Sequence, residues 1–327
     1  MSQAADRRPS LAVTRRLPAE VEERLASHFE VELNPEDRPL SHEELASAMR
    51  RHDALLPTIT DRIDRQLIAT EGRKVKVIAN YGAGLDHVDL DAARAARLVV
   101  TNTPDVLTEA TAELAVLLML MAARRAGEGE RELRAGEWTG WRPTHLIGQG
   151  LSGATLGLVG FGRIAQATAA KAQGLGMRIR YFSRSRAPAE VETRHDTVHA
   201  GSLGELVETS DVVSLHVPGG TDTRHLIDRA LLGRFRPGSI LVNTARGAVI
   251  EEAALADALA EGRLAAVGLD VYEQEPRVHP ALLASSRAVL LPHLGSATIQ
   301  ARTAMGMQAA KNLTAFFAGE ELPNRVA

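Results

Sequence analysis

Three short segments place reactive side chains just past apolar runs. The first reads Leu241-Val242-Asn243-Thr244-Ala245-Arg246-Gly247, and its guanidinium could take a carboxylate with two parallel hydrogen bonds. The second, Gly268-Leu269-Asp270-Val271-Tyr272-Glu273-Gln274-Glu275-Pro276, offers three carboxyl groups. The third, Leu291-Pro292-His293-Leu294-Gly295-Ser296-Ala297, offers an imidazole that can hold or give a proton near neutral pH. Taken singly, each group has an ordinary explanation: a surface arginine, a solvated loop acid, a satisfied structural histidine. Spacing alone does not bring them together.

A fourth segment carries glycines. Thr155–Gln166 reads TLGLVGFGRIAQ, an apolar run entering Gly160-Phe161-Gly162-Arg163-Ile164-Ala165 and then a small-residue helix. This fits the G-x-G-x-x-G/A dinucleotide fingerprint: Gly160 for the tight turn, Gly162 for close approach of a pyrophosphate, Ala165 for close packing of helix on strand. The helix start would add unpaired amides and a positive dipole end for phosphates. The next strand ends in Tyr181-Phe182-Ser183-Arg184-Ser185-Arg186. An acid there would hold the ribose 2′-hydroxyl of NAD. Ser183, Arg184 and Ser185 instead suit the 2′-phosphate of NADP, so NADP is the expected cofactor and NAD the alternative. Arg184 and Arg186 could also be plain surface charges.

These groups need elements to hold them. Strand-like runs at Leu11–Thr14, Phe29–Leu33, Ala54–Leu56, Val75–Ala79 and Leu98–Thr101 alternate with alanine- and charge-rich helical stretches. A long apolar helix is expected from Thr108 to Arg125, capped by Thr108, and Ala126–Gly153 reads as irregular connection. A second alternating series has strand-like runs at Thr155–Gly160, Arg178–Phe182, Val212–Val217, Ser239–Asn243, Ala266–Val271 and Val289–Leu291, and a helix at Ile299–Ala318 closes it. Strict alternation predicts α/β folding with parallel sheets, and 327 residues suggest about two domains.

Bulk composition narrows the function. Hydrophobic residues make up 45% and charged residues 24%, which is ordinary for a globular chain. A net charge of -3 gives no reason to expect nucleic acid. There is no cysteine, which excludes disulfides, thiolate metal sites and a cysteine nucleophile, and no metal site is expected. The start, MSQAADRRPS, lacks the apolar core of a signal peptide, and the apolar run Leu114–Ala123 is too short to span a bilayer. A cytoplasmic protein with no membrane partner is the expectation.

Together, TLGLVGFGRIAQ and the three reactive segments resemble the D-isomer-specific 2-hydroxyacid dehydrogenase family over nearly the whole chain. IANYGAGLDHVDL, GEWTGWRPTHLIG and YFSRSR resemble most its glyoxylate reductase/hydroxypyruvate reductase branch. The resemblance implies two doubly wound parallel-sheet domains. Residues 1–104 with 292–327 would form a flavodoxin-like substrate domain, and 105–291 a Rossmann cofactor domain. It implies an NAD(P)H-dependent reduction of a small 2-keto acid and a homodimer.

Carried over position by position, it makes Arg246 the group that binds the substrate carboxylate and polarises the keto group. His293 becomes the general acid and Glu275 the partner that keeps it charged. Asp270 would contact the nicotinamide carboxamide. Gly160, Phe161, Gly162, Arg163, Ile164, Ser183, Arg184, Ser185, His216, Val217, Pro218, Thr244, Ala245 and Gly295 would line the cofactor. Tyr81, Ala83 and Gly84 would meet the substrate, the last two cradling its carboxylate. Trp141, like Trp138, would serve either the interface or the substrate. Other reductases of the family, such as one for 2-ketogluconate, and a non-catalytic dinucleotide sensor are the competing readings. The presence of Arg246, Glu275 and His293 together speaks against the sensor.

Overall fold

A computed structural model describes residues 7–327 and divides the chain into two compact units, Met1–Leu107 with Ala297–Ala327, and Thr108–Ser296. The start of the polar MSQAADRRPS segment, residues 1–6, lies outside the described residues. Both units are α/β.

The first unit holds five strands: β1 (Ser10–Val13), β2 (Glu30–Glu32), β3 (Ala54–Leu56), β4 (Val77–Ala79) and β5 (Val99–Thr101). All pair in parallel, in the order β2-β1-β3-β4-β5, which is the flavodoxin-like arrangement. Leu11 and Val13 face one core and Ala12 the other, as the two-residue period of a strand requires. The helix Ile299–Ala318 packs one face with Met305, Ala309 and Leu313, and Gly306 lies so close to Val21 that a methyl there would overlap it. Thr298 caps this helix and Gly319, at φ +71°, ends it.

The second unit adds β6 (Thr155–Val159), β7 (Arg178–Phe182), β8 (Thr197–His199), β9 (Val212–Leu215), β10 (Ser239–Asn243), β11 (Leu264–Leu269) and β12 (Ala288–Leu290). The order is β12-β11-β10-β9-β6-β7-β8, all parallel. Strand order reverses between β6 and β9, and open sheets of this kind bind ligands at such a point, beyond the carboxyl ends of the strands. Gly157 in β6 and Gly268 in β11 admit helices at close range, since a methyl would strike Ser210 or Leu118.

Two local expectations need correction, and one strand has to be added. Ala126–Gly153 is not wholly irregular, because Ala126–Arg134 forms a helix. Its two glycines suggest a loop, but Arg125–Glu128 and Arg134–Glu130 pairs one turn apart support helix. The edge strand β8 has no forerunner in the sequence pattern. Thr108 is the first helical residue of Thr108–Ala123 rather than its cap. The division between the compact units falls at 107/108 and 296/297. The reason at the second boundary is bonding: the His293 and Gly295 amides bond to Asp270, and the Gly295 carbonyl to Thr111, all within the second unit.

Candidate active site

The glycine turn sits at the reversal of strand order. Gly160 has φ +88°, a region that disfavours a side chain, and a methyl on it would lie 2.6 Å from the His216 carbonyl. Gly162 precedes the helix Arg163–Gly174, and no side chain caps that helix. A methyl on Gly162 would meet no protein atom within 4 Å, so the space beside it is open. Ala165 is fully buried against the sheet, and Phe161 stacks on Tyr181 with ring centres 4.2 Å apart. Arg163 is exposed and Ile164 half-buried at the mouth of the turn. An uncapped helix start behind two glycines fits the phosphates of a dinucleotide.

The end of β7 separates the two arginines. Arg186 forms two bonds to Glu192, at 2.9 and 2.8 Å, and with Tyr181 holds that carboxyl at about 2. Arg184 is 84% exposed and only 3.5 Å from Asp222, itself exposed. The Ser183 hydroxyl donates to the Ser185 carbonyl at 2.7 Å, and no carboxylate is in the Ser183–Arg186 segment.

Across the reversal, His216 lies 2.9 Å from the Ser214 hydroxyl, and desolvation pushes its imidazole down to about 4, so it is neutral at pH 7. Val217 packs on the core, and the exposed Pro218 accepts the Thr223 hydroxyl. Thr244, beyond β10, is buried with its hydroxyl unpartnered among the described residues. A buried hydroxyl without a partner is costly unless something supplies one.

Arg246 follows directly. Asn243, fully buried, accepts the Ala245 amide at 2.9 Å and donates to the Arg246 carbonyl at 2.9 Å, pinning the loop on both sides. Arg246 Nη1 donates to the Ala245 carbonyl at 2.8 Å. Gly247 must be glycine, because a methyl would overlap the Tyr272 carbonyl. That contact seats the Arg246 loop on the Asp270–Glu275 loop.

The three acids of that second loop part company. Both Asp270 oxygens accept amides of the His293 loop, from Leu294 at 2.6 Å and from Gly295 at 2.8 Å, and the His293 amide bonds to the Asp270 carbonyl at 2.9 Å. Burial pushes the Asp270 carboxyl up against those bonds. These bonds anchor His293, which sits at φ +56°. Glu273 turns to His225, at 2.6 Å, and to Arg224, at 3.2 Å. Glu275 alone faces the histidine, with its Oε2 2.9 Å from His293 Nδ1 and its Oε1 accepting the Tyr272 amide at 3.1 Å. Burial works to raise the Glu275 carboxyl, but His293, the Tyr272 amide and Arg246 outweigh it and hold it below the ordinary glutamate range.

Tyr81, Ala83 and Gly84 belong to the first unit. The Tyr81 side chain is buried and its hydroxyl donates to the Arg302 carbonyl at 2.7 Å, while burial pushes its phenol up to about 12. Its side chain is therefore part of the core, and the backbone is what Tyr81 can offer a ligand. Trp138 and Trp141 lie on the surface of the second unit, Trp141 82% exposed. Sequence reasoning missed Asn243, Gly247 and the anchoring bonds of Asp270. A polar residue ending an apolar strand was the one available signal, at Asn243.

The profile of the D-isomer specific 2-hydroxyacid dehydrogenase NAD binding domain matches residues 116–295. The glyoxylate reductase of Thermococcus litoralis is 43% identical over 324 residues, 98% of this chain and 97% of that protein. This chain belongs to the D-isomer specific 2-hydroxyacid dehydrogenase family. Its place is in the glyoxylate reductase branch. A glyoxylate reductase structure from Paecilomyes thermophila superposes with a TM-score of 0.86 at 35% identity, covering 98% of both chains. An NADPH-dependent glyoxylate/hydroxypyruvate reductase from Sinorhizobium meliloti, in complex with NADP and malonate, gives 0.86 at 33% identity over 98% of this chain and 97% of that one. No helix among the described residues is long and apolar enough to cross a membrane.

Proposed function

We propose that this enzyme reduces small 2-keto acids, glyoxylate and hydroxypyruvate foremost, to the D-2-hydroxy acids with NADPH. The observation that carries the reading is the 2.9 Å pair of His293 Nδ1 and Glu275 Oε2 in the same unit as the glycine turn. Gly160, Gly162 and the start of the helix Arg163–Gly174 would hold a reduced nicotinamide dinucleotide, which would supply a hydride for the keto carbon. His293 supplies the proton. Its Nδ1 is spent on Glu275, so Nε2 is the nitrogen that protonates the keto oxygen, and hydride plus proton complete the alcohol. Arg246 pairs with the substrate carboxylate and draws charge from the keto oxygen. Asp270 keeps the imidazole in place through the Leu294 and Gly295 amides.

NADPH over NADH is supported by the serine at position 183 and by the exposed Arg184 guanidinium, which can pair with a 2′-phosphate. The exposed Leu117, Leu120 and Trp138 support a homodimer, to be measured by light scattering.

A panel of 2-keto acids assayed with NADPH and NADH tests the reading. Glyoxylate and hydroxypyruvate should give the highest kcat/KM. A bulky or phosphorylated keto acid preferred by about tenfold or more would overturn the substrate assignment.

A further inference from the structure

The segment after β4 carries a backbone arrangement that its side chains impose. Asn80 is fully buried at the strand end. Its Nδ2 donates to two carbonyls, Gly82 and Gly84, each at 3.0 Å. The Gly82 carbonyl also accepts the Thr103 amide at 3.0 Å, and the Ala83 carbonyl accepts Asn102 Nδ2 at 2.9 Å. Three successive carbonyls are thus drawn to the protein. In a trans peptide the N–H points opposite to the C=O of the same plane. Drawing in the Gly82 and Ala83 carbonyls therefore turns the Ala83 and Gly84 amides away from those partners. Neither amide has an acceptor among the described residues. Two adjacent amides so directed make a concavity for an anion.

Asn80 can do this in one orientation only. Reversed, its Oδ1 would face two carbonyl oxygens. In the working orientation Oδ1 accepts from His87 Nε2, 2.9 Å away, and His87 must carry a hydrogen on that nitrogen. His87 thereby selects the orientation of the buried amide.

We infer that Asn80, with its amide locked by His87, is a positioning residue that presents the Ala83 and Gly84 amides to the substrate carboxylate. The inference rests on the keto-acid reading above. Neither side chain touches the reacting atoms. Both act by fixing which way two peptide planes face.

The test uses the full-length chain and the variants Asn80→Asp, Asn80→Ala, His87→Ala and His87→Gln. Asn80→Asp keeps the acceptor for His87 but replaces the double donor with an oxygen. Either Asn80 variant should raise the KM for glyoxylate about tenfold, with kcat changed less and the KM for NADPH unchanged. His87→Ala should act in the same direction, and His87→Gln, which can still donate to Asn80, should recover most of the loss. The affinity for oxamate, measured by calorimetry as a simple carboxylate probe, should fall in parallel. Unchanged glyoxylate KM and oxamate affinity in His87→Ala would overturn the inference. So would a rise in NADPH KM that keeps step with that for glyoxylate, or wild-type protein that binds no oxamate. If the Asn80 variants do not fold, as circular dichroism would show, the two His87 variants decide alone. Wild-type protein that binds oxamate but reduces no keto acid would sink the proposed activity instead, and the oxamate titrations would still report on Asn80 and His87.

Discussion

Glu275, and not Glu273, meets His293: its Oε2 stands 2.9 Å from Nδ1, while Glu273 is held by His225 at 2.6 Å. Two acids of one type, two residues apart, thus have separate work. One faces the imidazole of His293. The other ties its loop to a neighbouring segment.

The pair bears on proton transfer. Glu275→Gln should lower kcat for reduction by about tenfold or more, while Glu273→Gln leaves it unchanged. On the acid side, the Glu275 carboxyl is held below its ordinary range. Its contribution to stability is therefore present above the unfolded glutamate value and is lost as pH falls through the lower, folded value. Thermal melts of wild type and Glu275→Gln should converge only in that acid range. His293→Ala should lower kcat by roughly two to four orders of magnitude with little change in NADPH affinity, read by stopped-flow binding.

Arg246→Lys should act mainly on the substrate. One ammonium cannot reproduce the two parallel bonds of a guanidinium. The KM for glyoxylate should rise about tenfold or more, and fluorescence titration with NADPH should show no change.

The arginines after β7 should separate in a cofactor assay. Arg184→Ala should raise the KM for NADPH about tenfold and leave that for NADH alone. Arg186→Ala should leave the preference intact and lower the melting temperature slightly, since its partner is Glu192. A wild-type preference for NADH would refute the assignment.

Gly247→Ala should be costly although the residue is small. The added methyl overlaps the Tyr272 carbonyl, so either loop must shift. A loss of roughly 1–3 kcal/mol by denaturant unfolding is expected, with a fall in kcat because Arg246 and Glu275 sit on the two loops that move apart.

The architecture was legible because long apolar runs alternate with long helical stretches. The helix Ile299–Ala318 and the strand Ser239–Asn243 are found where the pattern places them. The edge strand Thr197–His199 was not, because three residues with one outward valine give no period to read. Ala126–Arg134 was read as a loop for its glycines, and only ion pairs across its turns betray the helix. At the site, reactive groups at strand ends were visible as residue types. Their division of labour was not. Whether Glu273 or Glu275 faces His293 depends on His225, distant in sequence, and the anchoring of His293 by Asp270 depends on amides that every residue carries.

The helix Ile299–Ala318 and the last residues complete the core of the first unit, where Met305 and Leu313 pack on Leu11 and Val21 and the Val326 amide bonds to Val100. On the ribosome, the strands of the first unit therefore wait for a segment that is made only after the whole of the second unit, which is continuous from Thr108 to Ser296. Until then the apolar faces of the waiting strands are what a chaperone would meet during translation.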